Sequence, residues 1–145
     1  MTPSHREICE TFFRRVWSEQ DEGAIDELLL PEAHASGLTE SGLPMVGPDA
    51  FKAFHRAVLA LIDNVEIIID HAVVEGAWAS LTLRIEATSR ATGEKIGTRG
   101  HMLAKIVDGN IVEGHNHVDF IALFEQLGLL PKHVLTTCLS GNSVA

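Results

Sequence analysis

Glu113, His115, His117 and Asp119 occupy alternate positions near the end of the chain. Side chains alternate across a strand, so an extended segment here puts all four on one face. A carboxylate facing an apolar cleft is poorly solvated. Its pKa then rises towards neutrality, which suits general-base work. A neighbouring imidazole can donate a proton to a developing enolate oxygen. Imidazole and carboxylate also suit zinc or iron, and His101, His115, His117 and Asp119 form a candidate ligand set. Plainer roles compete. A polar strand face is ordinarily wet, Asp is a good helix cap, and a histidine pair can be a hydrogen-bonded core element.

These residues need elements to hold them. After Asp119 the chain turns into an apolar segment, Phe120 to Phe124, followed by Gly128 and Pro131. That is a short helix with a glycine stop, and Asp119 at its start either caps it or reaches into a cleft. Upstream, Val65 to Val74, Ala77 to Thr88, Ile96 to Val107 and Ile111 to Asp119 read as four consecutive strands. Turn residues separate them: Glu75-Gly76, Ala91 to Gly93 and Asp108 to Asn110. A loop over Asp108 to Asn110 pairs Val107 with Ile111. Counting outward, Lys105 faces Glu113, His101 faces His117 and Arg99 faces Asp119. The polar face so formed is expected to wall the cavity. Met102, Ala104, Ile106, Val112 and Val118, with Gly114, share the other face, expected as the surface of a homodimer.

The first half of the chain reads as helical. Ser4 and Glu7 form a capping box, and Ile8, Phe12, Phe13 and Val16 follow at helical spacing. Asp21 to Leu30 is a second short helix. Pro31 to Gly47 reads as a loop with a short strand near His34 to Leu38. Pro48 opens a third helix whose stripe is Phe51, Phe54, Val58 and Ile62. Trp17 and Phe54 are core residues that would also suit a hydrophobic ligand, and His55 and His71 read as surface residues. Helices followed by an antiparallel meander imply an α+β domain.

Composition excludes several classes of function. The formal charge is −9 with Lys and Arg scattered, so no basic stripe is offered to nucleic acid and acidic membranes are disfavoured. No apolar run approaches the roughly 20 residues of a membrane span. The N-terminus lacks the layout of a secretion signal. Cys9 and Cys138 are far apart without metal-type spacing, which points to a reduced, cytoplasmic protein. No Gly-rich phosphate loop follows a strand, so no organic cofactor is implied.

Ile111, Glu113, Asp119 and Gln126-Leu127-Gly128 together resemble the end of a SnoaL-like domain. That family comprises polyketide cyclases and relatives with the fold of ketosteroid isomerase and nuclear transport factor 2. The likeness extends more loosely over about residues 5 to 130, and His115 departs from it where the family tends to have Trp. It implies a cone-shaped curved antiparallel sheet with three N-terminal helices on its concave face. Residues 1–130 would be a single domain and 131–145 a partly disordered tail. It also implies a pocket for a small, mostly apolar carbonyl compound, cyclised, isomerised or hydrolysed with Asp119 as base. His101 and His117 would then donate or orient protons, and His34 would line the pocket mouth. Arg99, Glu113, His115, Phe54 and Trp17 complete the expected ligand contacts. The alternative on this fold is a non-catalytic ligand-binding or interaction module, and a metal-dependent enzyme stands third. The chain has no Tyr, so it lacks the phenolic donor of ketosteroid isomerases.

Overall fold

The computed structural model describes residues 2–40 and 42–145. Ser4 Oγ accepts from the Glu7 N–H at 3.1 Å and starts α1, His5–Phe12. The helix continues as a wider π-helical segment, Phe13–Ser18, and turns Phe12, Phe13, Val16 and Trp17 into the core. Asp21 caps α2, Glu22–Leu28, through the Ala24 N–H. Pro48 lies in the first turn of α3, Gly47–Leu59, where its missing N–H costs nothing.

Four long strands follow: β3 Ile62–Glu75, β4 Trp78–Ser89, β5 Lys95–Val107 and β6 Asn110–Val118. They pair antiparallel in sequence order. β1, His34–Ser36, adds to β6 in parallel, and β2, Met45–Val46, pairs with β1. The order β2-β1-β6-β5-β4-β3 leaves both ends unpaired, so the curved sheet stays open. The parallel contact is tight. A Cβ on Gly37, at the end of β1, would meet the Asn116 carbonyl oxygen at 1.8 Å, and φ there is +83°.

The last hairpin differs from expectation by one residue. Its turn is the two-residue Asp108-Gly109, with φ of 50° and 78°, and Val107 pairs with Asn110 rather than Ile111. Both residues take left-handed backbone, as a tight hairpin turn requires. A register shift beyond Ile106 then leaves Val112 as an extra residue, a β-bulge. Lys105 opposite Glu113 and His101 opposite His117 follow as counted.

The larger correction concerns the faces. Met102, Ala104, Ile106, Ile111 and Gly114 are buried beneath the helices, and Ala104 is fully enclosed. That face is therefore not available to a second copy of the chain. The polar face points away from the helices. The physical reason is desolvation: Lys105 and Glu113 set against Phe12, Phe13 and Phe51 would be charges buried without water. His55, read as a surface residue, is only 2 % exposed.

Asp119 caps α4, Phe120–Gln126. Gln126 ties this helix to β5 by accepting from the Gly97 N–H at 3.0 Å and donating to its carbonyl at 2.7 Å. Within the expected tail, Val134–Leu139 forms α5, whose first N–H donates to Glu125 Oε1 at 2.9 Å. No described helix is long and apolar enough to cross a membrane.

Candidate functional site

Between the helices and the covered face of the sheet lies a cavity of about 120 Å³. The π-helical segment and α3 supply its aromatic wall. Trp17 packs edge-on against Phe51 and Phe54 at ring separations of 6.2 and 6.1 Å. His55 holds this wall from behind. Its ring lies 5.0 Å from that of Trp17, and its Nε2 bonds the Val16 carbonyl at 2.7 Å. A carbonyl accepts, so Nε2 carries the proton. The imidazole thus satisfies a carbonyl inside the wider π turn, a kind of irregularity that gathers at functional sites.

Among the described residues, the polar ones that border the cavity are His34, Thr98 and Asn116. The Thr98 hydroxyl donates to the Asp119 carbonyl at 2.8 Å. Asn116 Nδ2 faces two carbonyls, Ser36 O at 3.2 Å and Gly114 O at 3.4 Å, which fixes the orientation of its amide. His34 belongs to β1 beside Glu113, with its Nε2 3.7 Å from Glu113 Oε1.

Of the expected site residues, Trp17, Phe54 and His34 border the cavity and the others do not. Asp119 is exposed, with Oδ1 accepting from the Ala122 N–H at 3.0 Å, which is the capping role. Arg99 is exposed across from it. His101 and Ser80 are hydrogen-bonded at 2.8 Å, and His117, paired opposite His101, is exposed. Glu113 accepts from His115 Nε2 at 2.9 Å, and Ser36 Oγ meets His115 Nδ1 at 3.2 Å. The His115 hydrogen bond holds the Glu113 carboxyl below its ordinary pKa. Burial opposes this, and the charges of His34, His115 and Lys105 add to it. Lys105 Nζ sits 5.7 Å from the Trp78 ring centre, and that ring lies 6.2 Å from His115. The outer face is a continuous polar array with aromatic patches.

The candidate metal ligands do not converge. No group of three or more His, Cys, Asp or Glu among the described residues is arranged to hold an ion. The sequence reading passed over Thr98 and Asn116. The signal for Asn116 was its parity, since it is opposite Met102 and two residues from Val118 on the apolar face.

Comparison with known proteins agrees with this architecture. The family model of the SnoaL-like polyketide cyclases matches residues 7–127. No curated protein matches the sequence. TsrD from Streptomyces laurentii is 21 % identical, with a TM-score of 0.70 over 86 % of this chain and 95 % of that one. A proposed SnoaL-like polyketide cyclase from Jannaschia is 17 % identical, with a TM-score of 0.72 over 90 % and 99 %. A Catenulispora acidiphila protein of ketosteroid isomerase-like fold, in complex with trimethylamine, is 18 % identical, with a TM-score of 0.71 over 89 % and 95 %. At these identities the likeness is one of fold.

Proposed function

Because this chain belongs to the SnoaL-like polyketide cyclase family, we propose that it binds a small, mostly apolar molecule in the cavity between helices and sheet. The observation that carries this is the wall itself: aromatic and aliphatic, with His34, Thr98 and Asn116 as its polar members and no carboxylate among the described residues. Concave, apolar sites with a few polar groups are the usual form of small-molecule pockets. Recognition then rests on shape and on one or two hydrogen bonds. Trp17 in the wall reports occupancy. In a Trp78→Phe background, which leaves Trp17 as the sole indole, a small apolar one-ring compound such as toluene should shift its emission saturably. A response that stays flat to millimolar toluene sinks this reading.

A second reading, proton transfer on the bound compound, is favoured by one feature. Among the described residues, His34 is the one titratable residue bordering the cavity, and Glu113 lies beside it. A general base must come within hydrogen-bond reach of its proton, which leaves His34 as the candidate. Cyclisation, isomerisation or hydrolysis by this route should be lost in His34→Gln with ligand binding retained. Undiminished turnover by that variant removes the second reading.

A further inference from the structure

The polar groups of the cavity wall share a property that their residue types alone do not reveal. Thr98 spends its hydroxyl hydrogen on the Asp119 carbonyl. Asn116 spends its amide hydrogens on the Ser36 and Gly114 carbonyls. Each has only lone pairs left to offer, and Asn116 Oδ1 has no hydrogen-bond partner among the described residues. His34 directs its Nε2 to Glu113. A ketone or ester oxygen needs a donor, and neither Thr98 nor Asn116 has one to give. A hydroxyl group needs an acceptor, and both can supply it.

The space also continues beyond the inner cavity. A groove of about 530 Å³ runs between loop 37–40, α3 and α4. Leu38, Phe54, Val58, Ile62, Phe120 and Leu123 border both the groove and the cavity, so the two adjoin. The groove is otherwise lined by Ala57, Leu61, Phe124 and Leu127, with Thr39 and Glu40 at its edge. A cavity of 120 Å³ takes little more than one ring, since an engineered void of about 150 Å³ binds benzene. A longer molecule would have to extend into the groove.

We propose that cavity and groove form one site for an elongated, mostly apolar alcohol or phenol. Its hydroxyl donates to Asn116 Oδ1, and its hydrocarbon body runs past Phe54 and Phe120 into the groove. This rests on the ligand-binding reading above and sharpens it, because it selects hydroxyl-bearing over carbonyl-bearing compounds.

The test is competition of straight-chain alcohols of about four to twelve carbons, and their methyl ethers, against the Trp17 signal. Affinity should rise about threefold to fourfold per methylene past the length that fills the inner cavity. Each alcohol should bind about fivefold more tightly than its ether. Asn116→Leu should abolish that preference while keeping the length dependence. Ala57→Trp, on the exposed groove side of α3, should cancel the gain for long alcohols and spare short ones. Equal binding of alcohol and ether by the unmodified protein overturns the hydroxyl assignment without recourse to any variant. Affinity that levels off near six carbons, while short alcohols still bind, overturns the role of the groove and leaves the ligand-binding reading standing. Binding of no probe at all overturns both.

Discussion

The two faces of the sheet are made from the same strands by strict alternation, and they solve opposite problems. On the inner face Met102, Ala104 and Ile106 lie under the helices, and burial of apolar area is what holds them there. On the outer face His101 bonds the Ser80 hydroxyl, His115 links Ser36 to Glu113, and His34 lies beside Glu113, with Lys105 and His117 on the same side. In the proposed function, the inner face sets the affinity for a ligand. The outer face carries most of the ionisable groups and almost none of the cavity. Apart from His34, which also borders the cavity, groups that look able to do chemistry are thus separated by a backbone layer from the place where a ligand would sit.

The sharpest way to break this comparison is to put a charge on the inner face. Ala104→Arg should cost more than about 4 kcal/mol, enough to unfold the chain in chemical denaturation. A stable, folded Ala104→Arg protein would show that the faces are assigned the wrong way round. Next in size is His55→Ala, which removes a buried ring and orphans the Val16 carbonyl. It should cost about 3 kcal/mol and redshift Trp17 emission as water reaches the wall.

Smaller effects are expected at the sheet end and on the outer face. Asp119→Ala should cost about 1 kcal/mol through the lost cap, and Asp119→Asn much less, because Asn caps well. Both should bind ligand as the unmodified protein does, and tenfold weaker binding by Asp119→Asn would return this residue to the site. The smallest effect is a pH dependence at Glu113. Its folded pKa lies below its unfolded value, so its stabilisation is present above about pH 4.3 and fades as acid protonates the folded carboxylate. The difference in urea midpoint between the unmodified protein and Glu113→Gln should therefore shrink on going from pH 6 to pH 3. A gap that widens in acid would mean the partners of Glu113 are misassigned.

Much of the framework is legible in the residues. The four strands are announced by Glu75-Gly76, Ala91 to Gly93 and Asp108 to Asn110, and α4 by Asp119 and Gly128. The cross-strand pairs of β5 and β6 beyond the bulge coincide with those counted from a three-residue loop, because the extra residue Val112 offsets the shorter turn. What counting cannot supply is the direction of each face, because alternation is symmetric and only the partner layer breaks the tie. The apolar stripes of α1 and α3 required an apolar counterpart, and Met102, Ala104 and Ile106 were its best source. His55 was hidden for another reason. Its role depends on a carbonyl made available by the π-helical segment, and no local pattern in Phe13–Ser18 announces that wider turn. Asn116 is masked in the same way, because its value to a ligand depends on which hydrogens the backbone has already claimed.

The bulge at Val112 has a consequence for how this hairpin can vary in length. A two-residue turn would by itself carry every later residue of β6 to the opposite side of the sheet, and the extra residue restores the phase. Turn and bulge therefore act as paired errors of opposite sign. A chain with one more residue at the turn and Val112 deleted keeps the same length and presents the same side chains to the cavity. Pairing the unaltered sequence through the two-residue turn without the bulge would invert the strand beyond it, carrying Asn116 outward and His115 and His117 inward. Deleting Val112 alone would remove the bulge and leave every later pair in place, so this tip can lose that residue without changing what faces the cavity.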